Sequence, residues 1–175
     1  PCWAADSWAS NAGSNNWSHG GGTDPGDRRA TKGTHHTMNI AQLASQLKST
    51  QAALILSEEN RLYFTGFPSS NGPLLVTPEE SAFVTDSRYF EAACNTVTEA
   101  QVILQDQVYQ QIFDLLQKHN CTEILVESER MTLSELNKWR KMLPTYSFNV
   151  SNRLDTLANG LREVKCEAEV EKMQK

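Results

Sequence analysis

The stretch Tyr63-Phe-Thr-Gly-Phe-Pro-Ser-Ser-Asn-Gly-Pro-Leu-Leu-Val-Thr77 decides the fold, because two kinds of structure meet in it. Its first half reads as a glycine-rich connection leaving a helical turn. Gly66 and Gly72 supply positive φ or close backbone approach, while Ser69, Ser70 and Asn71 supply turn hydrogen bonds. Its second half, Pro73-Leu-Leu-Val-Thr77, is a strand. The turn Pro78-Glu-Glu80 joins it to a second strand, Ser81-Ala-Phe-Val-Thr85, so the pair reads as a hairpin.

Working outward, Ile40, Leu43 and Leu47 lie at helical spacing in a helix expected to end near Ser49. Ala52-Ala-Leu-Ile-Leu56 is an apolar run of strand length, and Ser57 is placed to cap a helical turn through Glu58, Glu59 and Asn60. Downstream, Asp86 starts a helix through Phe90, Ala93 and Cys94, and Gln101-Val-Ile-Leu104 returns as a strand. Val108, Ile112, Leu115 and Leu116 form a helical stripe, followed by a strand at Glu123-Ile-Leu-Val126. Thr132-Leu-Ser-Glu135 is a capping box, with Leu133, Leu136 and Leu143 expected to face inward. Tyr146-Ser-Phe-Asn-Val150 reads as a last strand, and Leu154, Leu157 and Leu161 as a last helix. Strands alternating with helices predict an α/β fold: a mixed, mainly parallel sheet with helices on both faces.

Composition narrows the function. The chain has 175 residues and a net charge of −5, which argues against nucleic-acid binding and against a basic membrane surface. No apolar run approaches the roughly 20 residues that span a bilayer. Cys2, Cys94, Cys121 and Cys166 show no paired spacing and read as reduced thiols of a cytoplasmic protein. Residues 1–37 lack Leu, Ile, Val, Met, Phe and Tyr, so they read as a disordered leader or non-native segment before Met38. His19, His35 and His36 in this segment lack the spacing of a metal site.

Two further segments join the opening one. Thr85-Asp-Ser-Arg-Tyr89 reads locally as a strand exit with a helix N-cap, Arg88 pairing with a nearby acid and Tyr89 packing its ring. Leu161-Arg-Glu-Val-Lys-Cys-Glu-Ala-Glu-Val-Glu-Lys-Met173 reads as a charged amphipathic helix. In order and spacing, the three resemble the N-terminal domain of the creatinase/prolidase/aminopeptidase P family and its junction with the catalytic domain.

That resemblance implies a division into 1–37 as leader, 38–163 as the α/β domain, and 164–175 as the start of the catalytic domain's first helix. It implies that Phe67, Ser69, Ser70 and Asn71 lie at the substrate entrance. Asp86, Arg88 and Tyr89 become candidates for an inter-domain or inter-subunit contact. Creatinase-like members carry a basic side chain in the 67–71 region. This loop has none, which favours a peptide over a creatine-type substrate.

The resemblance also implies two divalent metals, manganese or similar, held by two Asp, one His and two Glu of a catalytic domain that does not appear here. After Met38 the only histidine is His119, placed at a helix end, and no Ser-His-Asp or Cys-His set can be assembled. The expectation is no catalytic residue, metal or cofactor in this chain. Its partners would be its own catalytic domain, a second copy in a homodimer, and short proline-containing peptides in the intact Xaa-Pro aminopeptidase or dipeptidase. A free-standing, catalytically inert interaction module of the same fold is the alternative.

Overall fold

The computed structural model describes residues 39–164. The leader assigned to 1–37, and all but the first residue of the segment assigned to 164–175, lie outside them. The described chain forms six strands and six helices. In order these are α1 (Asn39–Ser45), β1 (Gln51–Ile55), α2 (Glu58–Thr65), β2 (Leu74–Val76), β3 (Ser81–Thr85) and α3 (Ser87–Thr96). There follow β4 (Gln101–Leu104), α4 (Val108–Lys118), β5 (Glu123–Val126), α5 (Leu133–Met142), β6 (Ser147–Asn149) and α6 (Arg153–Glu163).

The strands make one sheet in the order β4-β3-β2-β1-β5-β6. Strand β2 runs antiparallel to both neighbours, and the β1–β5, β5–β6 and β3–β4 pairs are parallel. The sheet is therefore mixed and mainly parallel, as the alternation of elements predicts. The hairpin turn closes through Thr77, whose amide and hydroxyl both donate to the carbonyl of Glu80.

Both faces of the sheet are covered, so the central strands are apolar throughout rather than alternating. On one face Ala53, Ile55, Leu74, Val76, Phe83 and Leu125 pack with α1, α2, α3 and α6 through Leu43, Phe64, Ala93 and Leu154. On the other, Ala52, Leu54, Leu75, Val84, Ile124 and Val126 pack with α4 and α5 through Ile112, Leu116, Leu136 and Trp139. The alternation of these names along each strand is the two-residue period of the pleat.

Several local expectations change. Helix α1 ends at Ser45, four residues early, and tightens into turns at Gln46 and Leu47 whose amides donate to Leu43 and Ala44. Leu133 is 79% exposed, because it stands at the first position of α5, where the inward stripe of Leu136, Trp139 and Leu143 has not begun. The capping box itself forms, with Thr132 and Glu135 bonding each other's backbone amides. Cys94 packs against the face of the core that carries α1, α2, α3 and α6. Cys121 is a free thiol buried against α4 and α5, and desolvation raises its pKa.

Candidate functional site

Because β1, β3, β4, β5 and β6 share one direction, their C-terminal ends all open on one edge of the sheet. This is the edge at which parallel α/β sheets present ligand-contacting loops. The connection from α2 to β2 and the start of α3 both lie there.

Helix α2 ends at Gly66, whose φ of 67° lets its amide donate back to Leu62. The chain then turns inward and outward by residue. Phe67 and Ser69 are buried, whereas Pro68, Ser70 and Asn71 are exposed. Phe67 stacks edge-on against Tyr89 at 6.1 Å and lies 6.4 Å from Phe83 in the sheet. Gly72, at φ 105°, lets the loop touch down on β3: a Cβ there would lie 2.0 Å from the carbonyl oxygen of Val84. Only glycine fits that approach.

At the end of β3, Asp86 caps α3 by accepting from the Arg88 amide at 3.0 Å. The same carboxylate takes two bonds from the Arg88 guanidinium, Nη2 to Oδ2 at 2.7 Å and Nε to Oδ1 at 3.2 Å. That pairing is the main reason the Asp86 carboxyl lies below its ordinary pKa. The acid expected to pair with Arg88 is thus its own helix cap. The Arg88 side chain is still 69% exposed and lies over the Tyr89 ring at 5.4 Å. The Tyr89 hydroxyl lies 3.0 Å from Ser70 Oγ.

The seven residues that the sequence nominates from two separate segments therefore form one patch. Ser70–Tyr89 and Phe67–Tyr89 are the joints between the segments. Within it, Ser70, Asn71 and Arg88 face solvent, while Phe67 and Ser69 face the protein.

A buried polar group beneath the patch escapes a reading of the sequence. Glu127, 1% exposed at the end of β5, accepts from the amides of Leu56 and Ser57 at 2.7 and 2.8 Å. It also accepts from Asn60 Nδ2 at 2.6 Å and from the Ser57 hydroxyl. Ser57 therefore occupies the N-cap position of α2 without a side-chain bond to that helix, because its hydroxyl is engaged by Glu127. Asn60 Oδ1 in turn accepts from Arg162 near the end of α6, at 3.0 Å.

Arg61, 4% exposed, donates from Nη2 to the carbonyl of Ser69 at 2.7 Å, from Nε to Ser69 Oγ at 3.3 Å, and from Nη1 to the carbonyl of Leu56. One signal could have found Arg61 and Asn60. A helical period anchored on Phe64 carries positions 60 and 61 onto the inward stripe.

At the opposite edge of the sheet, the His119 ring lies 3.1 Å from both Glu79 and Glu80, and Lys118 bonds Glu80. These side chains fasten α4 to the hairpin turn. Among the described residues no group of three or more His, Cys, Asp or Glu could hold a metal ion. No helix among the described residues is long and apolar enough to cross a membrane.

The fold defines an α/β domain built on one mixed six-stranded sheet covered on both faces. The family model described as the creatinase/prolidase N-terminal domain matches residues 40–164, and the chain belongs to that family. A protein described as a Xaa-Pro aminopeptidase in Mycoplasma genitalium is 28% identical over 138 residues, which is 78% of this chain and 37% of that protein. The fold is similar to that of a Xaa-Pro dipeptidase from Bacillus anthracis, with a TM-score of 0.69 at 19% identity, covering 78% of this chain and 38% of that one. It is also similar to the N-terminal domain of the cytoplasmic peptidase PepQ from Mycobacterium tuberculosis. There the TM-score is 0.61 at 22% identity, covering 71% of this chain and 98% of that one. The chain thus spans well under half the length of the Mycoplasma and Bacillus proteins.

Proposed function

We propose that the chain is the non-catalytic N-terminal domain of a Xaa-Pro metallopeptidase, of aminopeptidase P or prolidase type. In the intact enzyme it joins two subunits and narrows the entrance to the active site. The hydrolysis of the bond before proline, and the two divalent metals that would activate water for it, belong to residues beyond this chain. The reading is carried by one observation. Two family motifs, distant in sequence, meet at the C-terminal edge of the sheet and expose Ser70, Asn71 and Arg88 together.

In this reading Phe67 and Ser69 shape the loop from within, and Ser70 and Asn71 meet a short proline-containing peptide. Asp86 fixes the start of α3, and Arg88 and Tyr89 face the neighbouring domain or subunit. A cytoplasmic location is supported by the name of the Mycobacterium relative alone.

The test is an assay of the full gene product and of the 175-residue chain against Xaa-Pro peptides with added Mn²⁺. The full product should cleave and the shorter chain should not. Ser70→Ala and Asn71→Ala in the full product should raise KM about 3- to 10-fold while kcat stays within about twofold, the signature of lost uniform binding. A full product without Xaa-Pro cleavage would overturn the reading and leave a binding module.

A further inference from the structure

We infer that Arg61 is a positioning residue: from inside the protein it sets the conformation in which the 67–71 loop presents Ser70 and Asn71. This rests on the proposed role of that loop and extends it to a residue that no part of that role requires.

The loop leaves α2 at Gly66 and lands on β3 at Gly72, and both glycines have positive φ. Between them the backbone must hold an in-and-out alternation over five residues without a strand or helix to fix it. At the middle of that span the Ser69 carbonyl and hydroxyl both point to the Arg61 guanidinium. A planar fork that bonds a carbonyl and a hydroxyl of one residue fixes direction as well as distance, which a lysine ammonium does not. The third bond of the fork, to the Leu56 carbonyl, ties the same guanidinium to the end of β1.

The anchor is itself held. Glu127 clamps the residues that open α2, through Leu56, Ser57 and Asn60, and Asn60 is bonded to Arg162 of α6. Arg61 therefore hangs from a rigid helix start and reaches outward to the loop. Ser69, turned inward by this contact, forces its neighbours Ser70 and Asn71 outward, where Ser70 meets Tyr89.

Two readouts separate this role from bulk stability. In the 175-residue chain, Arg61→Gln should speed hydrogen exchange at the amides of Phe67 and Gly72 at least about tenfold, with the strand amides of β1 and β5 unchanged. In the full gene product the same variant should raise KM about tenfold on a Xaa-Pro peptide with kcat within about twofold.

Arg61→Lys, which retains the charge, should behave like Arg61→Gln in both measurements and guards against a variant that fails to fold. Unchanged loop exchange in a folded variant would overturn the inference. So would faster exchange spread evenly through the sheet. Altered loop exchange with no change in KM would remove the link to substrate. A wild-type product inactive on Xaa-Pro peptides would instead sink the function proposed above, and the claim about substrate with it.

Discussion

Single residues hold this fold to tight tolerances at Gly72 and Glu123. Gly72 combines a φ of 105° with a backbone contact that leaves no room for a Cβ. Gly72→Ala should cost about 2–4 kcal/mol, because both the left-handed conformation and the approach to Val84 are lost. Urea unfolding would measure it, and a loss under about 1 kcal/mol would mean that the loop can move off β3 at little cost.

Glu123 accepts from Gln51 at 2.5 Å and from Asn149 at 3.0 Å, fastening the starts of β1 and β5 to β6. The hydrogen bond from Gln51 is the main reason its carboxyl lies below the ordinary value of 4.5. A carboxyl depressed in the folded state stabilises the fold above its unfolded pKa. That contribution disappears as pH falls through the folded pKa. Stability should therefore drop as pH goes below 4.5, and Glu123→Gln should flatten the drop. Identical acid profiles for the two proteins would show that the bond contributes nothing.

At the scale of elements, what was legible depended on how local the signal was. The capping box of α5 is complete within four residues, and it forms as read. Thr132→Ala should cost about 1 kcal/mol, measured by urea unfolding, since the hydroxyl satisfies an amide at the helix start. Leu133 was misread, because a helical stripe gives the inward direction but not how far along the helix the neighbours extend. Ser57 was misread for a related reason: a serine before a helix is a capping signal, yet Glu127, 70 residues away, takes its hydroxyl. In the 63–77 stretch the loop and the strand form as read, because both glycines have a backbone reason to be there, but Tyr63, Phe64 and Thr65, read into the connection, continue α2.

At the scale of the whole molecule, the chain should fold without further residues. The Mycobacterium structure it is similar to is an N-terminal domain, 98% covered by 71% of this chain. A chain cut to residues 39–164 should unfold in one cooperative step, with circular dichroism and the fluorescence of Trp139 sharing a midpoint in urea. Trp139 packs against Tyr109 on the α4–α5 face, so separate midpoints would mean that the two faces of the sheet unfold independently.

The sequence by itself determined the fold class, the order of strands and helices, the hairpin and the motif residues. Each of these is written in spacing along the chain: a period of two or 3.6, a cap four residues long, a glycine where the backbone must turn. Only the tertiary structure decided that the 67–71 and 86–89 segments share one patch, that Ser69 faces inward while Ser70 faces out, and that Arg61 and Glu127 lie beneath them. Those outcomes rest on contacts between residues far apart in sequence, and on which side chains the sheet and its helices enclose. Local spacing goes only as far as turning Arg61 inward, through the helical period it shares with Phe64, and does not encode its partners.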